Sequence, residues 1–399
     1  MSPPLAGIRV LDLSRVLAGP WCTQLLADLG AEVIKIERPG AGDDTRHWGP
    51  PWYGDGEDRV AAYFLSANRG KKSTAIDFAK PEGASLVRKL AEQSDIVVEN
   101  FKVGGLKKFG LDAESLRATN PRLIVASITG FGQDGPYAER AGYDYIIQAM
   151  GGLMSITGQP DGSPGGGPMR VGVAVVDLFT GLYTAVAILA ALFRRERSGE
   201  GAHIDAALFD TQLAVLANQA SNALVSGKDP PRQGNTHPNI VPYQPFEAAD
   251  KPLVIAVGND RQFAKLAAIC GHPEWPSDER FASNAARVAN RAEMVKLVSE
   301  CIRQKSADEW FAELEAAGIP AGPINTITQA LHDVQAQHRQ TVRTIAGMPL
   351  VGSPVRLDGE RADSDLPPPG LGEHTDEVLR ALSLDVSQIA RLRADGVAG

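Results

Sequence analysis

The chain has 399 residues, 43% hydrophobic, 22% charged and 6% aromatic, a globular profile long enough for two or three domains. Its net charge of −8 argues against a general binder of nucleic acid or of an anionic membrane surface. Cys22, Cys270 and Cys301 stand far apart with no CxxC, which speaks against a disulfide framework or a cysteine zinc site and fits a reducing cytoplasm. No basic segment leads into a long apolar run at the N-terminus, so no signal peptide is read. The longest apolar run, in TAVAILAALF (184–193), is too short to span a bilayer.

The first two hundred residues alternate short β-rich runs with helical patterns. IRVLDL (8–13) reads as a strand, PWCTQLLADLGA (20–31) as a helix opened by proline, and EVIKIE (32–37) as a second strand. STAIDF (73–78), a helix from Pro81 to about Gln93, and the strands DIVVEN (95–100) and LIVASITGF (123–131) follow. This alternation predicts an α/β fold with a mostly parallel sheet covered by helices on both faces. Ligands of such sheets gather at the carboxyl ends of strands, here SRVLAGP, ERPGAGD, ENFK and TGFGQDGP. In VGVAVVDLFTGLY (171–183) a lone acid, Asp177, interrupts an apolar run and opens a helix of about five turns. HIDAALFD gives a further strand and a helix start, and QGNTHPNIVPYQPF (233–246) reads as a linker. A second α/β unit holds PLVIAV (252–257), helices near Arg261–Cys270, Arg291–Gln304 and Ala307–Ala317, and the turn GIPAGPIN. The tail contains MPLVGSPVRL, a DLPPPGLGEH turn and two short helices from Thr375 and Val386.

No nucleotide fingerprint accompanies this fold class: GxGxxG is missing after the first strand, and no Walker A motif occurs. The histidines are scattered with no HExxH, and GxSxG is absent. Asp177 has two readings. As an N-cap it would accept from the amides of a helix beginning at the next residue. As an ionised carboxylate in a dry pocket it would attack an activated acyl group. Basic residues gather at presumed strand ends: Arg38 before PGAGD, the run Asn68-Arg69-Gly70-Lys71-Lys72, and Lys102, Lys107 and Lys108 after ENF. They suit a phosphate-rich small ligand as well as a solvated surface.

GIRVLDLSRVLAGPWCTQLLADLGAEVIKIERPGAGD, ANRGKKS, DIVVENFKVGGLKKFGLD, SITGFGQDGPYAERAGYDYIIQAMGGLMSITG, the Asp177 block, GIPAGPIN and PPPGLGEHTDEVL follow one another along nearly the whole chain. Together they resemble the class III CoA-transferases, the family of formyl-CoA transferase, carnitine CoA-transferase and α-methylacyl-CoA racemase. The resemblance implies an interlocked homodimer of ring-like chains, each with a large Rossmann-like domain with a parallel sheet and a smaller α/β domain. It sets the expected boundaries at 1–224 for the large CoA-binding domain, 225–245 for a linker, 246–326 for the small domain and 327–399 for a segment returning to the large one.

The same resemblance makes Asp177 the nucleophile, through an aspartyl-CoA thioester, with acyl-CoA and a carboxylic acid as substrates and no metal or permanently bound cofactor. CoA contacts carry over to Val16, Leu17, Arg38, Asn68, Arg69, Lys71, Asn100, Phe101, Lys102, Lys108, Thr129, Gly130, Phe131 and Gly132, joined by Tyr143. Leu17 stands where formyl-CoA transferase has glutamine, Thr129 where it has lysine, and its glycine-rich covering loop is absent, which points away from formate and oxalate. Tyr143 in AGYD replaces the histidine of the racemase AGHD and leaves a two-base racemase without one base. GNTHPNIVPYQPFEAAD and VGNDRQFAKL look most like the succinate–hydroxymethylglutarate (glutarate) branch. The implied reaction moves CoA from a donor such as succinyl-CoA to a short dicarboxylic acid. The alternatives are a monocarboxylate or carnitine-like acceptor, a racemase-like enzyme, and a CoA-binding protein without activity. Arg46, Arg170 and His237 are candidate partners for a second substrate carboxylate. No nucleic-acid or membrane partner is expected, and the location is cytoplasmic.

Overall fold

The computed structural model describes residues 3–56 and 59–399. Its main sheet has six parallel strands: β1 (Arg9–Asp12), β2 (Glu32–Glu37), β3 (Lys71–Ala75), β4 (Ile96–Glu99), β5 (Ile124–Thr129) and β6 (Ala202–Ala207). They lie in the order β3-β2-β1-β4-β5-β6. The chain starts at the centre, builds outward to β3, then returns to build the other half from β4. That reversal opens a crevice past the carboxyl ends of β1 and β4, where ligands of such sheets settle.

Strand alternation sends neighbouring residues to opposite faces. Val10 packs with Cys22 and Leu26 of α1 (Ala18–Asp28), whereas Leu11 packs with Val87 and Leu90 of α2 (Pro81–Glu92). Three further helices, α3 (Ala113–Thr119), α4 (Asp144–Met150) and α5 (Val175–Ser198), complete the cover. Val378, Leu379, Ile389 and Leu392, from the two last helices, join the Leu11 face.

Helix α5 begins at Val175, before the expected start, so Asp177 lies within its first turn and is not the N-cap. Its 24 residues are closed off by Gly199, whose φ of 74° suits a residue without Cβ. By length and composition α5 is long and apolar enough to cross a membrane, which corrects the expectation drawn from residues 184–193 alone. One face is nevertheless fixed in the core: Val176, Ala185 and Ile188 pack against the sheet, and Arg195 pairs with Asp95 at 2.9 Å.

The chain divides into two compact units. One comprises Met1–Leu153, Arg170–Lys228 and Val334–Gly399; the other comprises Met154–Met169 and Asp229–Asp333. Nothing in the local pattern marks residues 154–169 as part of the second unit. Arg232 explains it, donating to the carbonyls of Ser155 and Gln159 at 3.0 and 3.4 Å and to the Asp161 carboxylate. The second unit has its own three-stranded antiparallel sheet and a core around Phe246, Phe263, Phe281 and Trp310.

Candidate active site

Between β1 and α1 the chain turns sharply, and Val16 takes φ 71°, a left-handed backbone that a β-branched residue rarely adopts. Two clamps hold it there. Asn100, just past β4, accepts from Arg15 N at 2.9 Å and donates from Nδ2 to the Arg15 carbonyl at 2.7 Å. Asp43 accepts from Val16 N, 3.3 Å from either oxygen, and is anchored by Lys35 Nζ at 2.9 Å. Burial pushes the Asp43 carboxyl up, but the Lys35 charge and the Thr45 donors outweigh it and hold the pKa at about 2.

Two cavities open beside this turn and share Arg15, Asp44 and Phe101 as a common wall. The first, about 430 Å³, is lined by Arg38, Ile76 and Phe78 among others. The second, about 420 Å³, brings together Val16, Leu17, Asn100, Phe101, Lys102, Thr129, Gly130 and Tyr143 with Asp177. Gly130 also serves the packing: a Cβ there would sit 2.5 Å from Cα of Gly142.

Asp177 is half-buried at this second cavity. Burial pushes its carboxyl up to about 7, and the Asp144 charge adds to the shift. Asp144 is the group that caps α5, where Ala174 at the N-cap provides no side-chain bond. Its Oδ2 accepts from Val176 N at 2.8 Å and Asp177 N at 3.3 Å, while Oδ1 accepts from Gln148 Nε2 at 2.6 Å. Tyr63 stands close enough that burial, then Asp177, raises its phenol to about 12. Trp48 packs edge-on against Tyr63, with ring centroids 5.2 Å apart. Neither Asp144 nor Tyr63 was singled out by the sequence. Asp144 had one faint signal, its neighbour Tyr143 in AGYD; Tyr63 had none.

Several expected ligand contacts instead build the interior. Lys71 is buried, with Nζ 3.1 Å from Asp12 Oδ2 and 2.9 Å from both Asn68 Oδ1 and the Pro20 carbonyl. Asn68 is also buried and donates to the Phe64 carbonyl at 2.9 Å. Arg69 grips Asp28 with Nε at 3.0 Å and NH2 at 2.6 Å. Arg46 does the same to Glu37 at 2.8 and 2.7 Å, with its guanidinium 3.8 Å from the Phe64 ring centroid. Each of these cations has its donors turned onto a carboxylate inside the fold; of the three, Arg69 also lines a separate cavity with Trp21, Asp28 and Arg361. A buried cation without such a partner would be costly.

The remaining candidates are dispersed. Lys108 is exposed, its Nζ 4.8 Å from the Phe109 ring. Phe131 packs against Tyr137 and Phe209, and Gly132 N donates to Thr129 Oγ1 at 3.0 Å. Arg170 is exposed, 5.6 Å from the Tyr145 ring. His237 lies in the second unit, where its Nδ1 accepts from Asn239 N at 3.1 Å and burial, then Arg291, lowers its pKa.

A parallel sheet with a crevice at its switch point, and a desolvated aspartate lining the cavity there, make up the candidate site. Residues 5–375 match the family described as CoA-transferase family III. The chain is 51% identical to the succinate–glutarate CoA-transferase of Agrobacterium fabrum, over 95% of this chain and 96% of that one. It is 42% identical to the human succinyl-CoA:glutarate CoA-transferase, over 99% and 90%. A crystal structure of a CAIB/BAIF family protein from Brucella suis superposes with a TM-score of 0.85 at 51% identity, covering 96% of this chain and 100% of that one. The protein therefore belongs to the class III CoA-transferases and is an enzyme of that family.

Proposed function

We propose that this enzyme moves CoA from succinyl-CoA to a short dicarboxylate, with glutarate the first acceptor to test. The observation that carries the chemistry is the desolvated Asp177 carboxylate at a cavity that shares a wall with the one lined by Arg38. The acceptor class follows the printed activities of the relatives at 51% and 42% identity. An acyl-CoA would lie along both cavities with its thioester at Asp177.

In the proposed sequence, the Asp177 carboxylate attacks the donor thioester, the C–S bond breaks, and CoA leaves as thiolate from a mixed anhydride. The thiolate then attacks the aspartyl carbonyl and expels the donor acid, leaving an aspartyl-CoA thioester. The acceptor carboxylate attacks that thioester and releases the thiolate, which finally takes the acceptor acyl group and frees Asp177. Energy stays in covalent bonds throughout, so the reaction needs no permanently bound cofactor. The working unit is a cytoplasmic homodimer with interlocked chains, each built from the large and small domains expected above.

The test is a transfer screen with succinyl-CoA as donor and mono- and dicarboxylates as acceptors. Four- and five-carbon dicarboxylates should lead, and hydroxylamine should trap a modified Asp177 peptide detectable by mass. Equal kcat/KM for butyrate and glutarate would refute the acceptor class. An unmodified Asp177 peptide under turnover would refute the nucleophile.

A further inference from the structure

Behind the turn that carries Asn100, Phe101 and Lys102 lies a smaller cavity of about 220 Å³, walled in part by Glu99, Lys107, Ser127 and His203. It shares only Lys102 and Val103 with the Asp177 cavity. Three neighbouring strands supply its polar wall. Glu99 ends β4, Ser127 is its register partner on β5, and His203 is on β6. Glu99 and Ser127 are 8% and 3% exposed.

A carboxylate so buried needs partners. Glu99 Oε2 accepts from Phe101 N at 2.8 Å, and burial raises its carboxyl while Ser127, beside it, and the Phe101 amide act to lower it. Ser127 Oγ is 3.0 Å from His203 Nε2. A line of polar groups thus links the exposed imidazole to the buried acid. The acid in turn fixes the amide two residues along, in the turn whose Asn100 clamps Arg15.

The covalent steps have no use for Glu99. We propose that Glu99 is a positioning residue for acyl-CoA binding, holding the 100–102 turn through the Phe101 amide while Ser127 and His203 orient its carboxylate. The inference rests on the reading that this turn contacts the acyl-CoA.

Steady-state kinetics of E99L, E99Q and F101A test it. E99L leaves the Phe101 N–H unpaired and should raise the acyl-CoA KM roughly tenfold, with kcat and acceptor KM within about twofold. E99Q keeps an acceptor oxygen and should recover most of that loss. A merely structural role would lower Tm and active fraction and leave KM alone. F101A checks the underlying reading and should raise the acyl-CoA KM as well. If F101A leaves it unchanged, the turn does not hold acyl-CoA and both statements fall. If F101A raises it and E99L does not, only the positioning role is overturned. Should E99L fail to fold, S127A takes its place: a rise of a few fold in acyl-CoA KM at constant kcat supports the proposal, and an unchanged KM overturns it.

Discussion

One carboxylate caps the helix that carries the other: Asp144 Oδ2 accepts from the amides of Val176 and Asp177, at 2.8 and 3.3 Å. The two acids are therefore coupled through a helix terminus as well as through charge. D144N keeps an oxygen for the Val176 amide and removes the charge that helps to raise the Asp177 pKa. Its rising kcat/KM limb should move to lower pH than in the wild type, where the raised Asp177 carboxyl should place it near 7. D144A leaves the two amides unpaired and should cost about 1–2 kcal/mol of stability. An unmoved limb in D144N would show that the charge of Asp144 is not felt at Asp177.

Asp177 should trade stability for activity. Its folded-state pKa of about 7 lies above the ordinary 3.8. The folded chain holds a proton that the unfolded chain releases between these values, so ionising Asp177 destabilises the fold as pH rises through 7. D177N should abolish transfer yet raise Tm at pH 8, with the gain fading as pH falls toward 4. Thermal melts across that range decide it; a gain of the same size at both ends would remove the ionisation argument.

The buried cations should report on stability and leave substrate affinity alone. Lys71 is pulled down to about 8 by burial, and the Lys35 charge also pushes it down, while Asp12 pulls the other way. K71M removes the ion-pair partner of the buried Asp12, leaving it the Ser14 and Thr23 donors and the Lys35 charge, and should cost about 3–5 kcal/mol in urea unfolding. Adding D12N should restore part of that loss, because the buried charge that Lys71 balanced is gone. R46M should likewise lower the urea midpoint while the dicarboxylate KM holds. A tenfold higher acceptor KM at unchanged stability would instead return Arg46 to the substrate.

What was legible in the sequence was periodic or locally odd. Val10 and Leu11 announce a strand buried on both faces, and they occupy opposite faces of the sheet. Asp177 stood out because an acid in an apolar run demands a reason. Its exact position in the helix is not legible locally, because the residue that caps the helix lies 33 positions earlier in the chain. Charge alone could not separate Lys102, which lines the cavity, from Lys71, which is buried against Asp12. That distinction is made by tertiary pairing, as with Arg46 and Glu37 from different segments. Tyr63 reaches Asp177 only through the fold, and no local pattern marks it.

Helix α5 carries the last prediction, that this face joins two copies of the chain. Phe179, Leu182, Tyr183, Val186 and Phe193 recur at helical spacing and remain exposed, Val186 and Phe193 at 63% each. From Phe179 to Phe193 the stripe runs about 21 Å, more apolar surface than a lone soluble chain usually leaves open. A bilayer is the rival occupant, since α5 is long and apolar enough to cross one. Its other face argues against that: Thr180 and Thr184 are buried there, and Arg195 is locked to Asp95. A membrane span would have to tear these from the sheet, whereas a second copy needs only the exposed stripe, meeting its own equivalent across a two-fold axis. Sedimentation should therefore give a dimer at nanomolar concentration, with no folded monomer released on dilution if the chains interlock. V186D should break the dimer or leave the chain unfolded, while an exposed charge change such as K296E should do neither. A wild-type monomer at micromolar concentration would reject the dimer, and flotation of the wild type with vesicles would hand the stripe to a membrane.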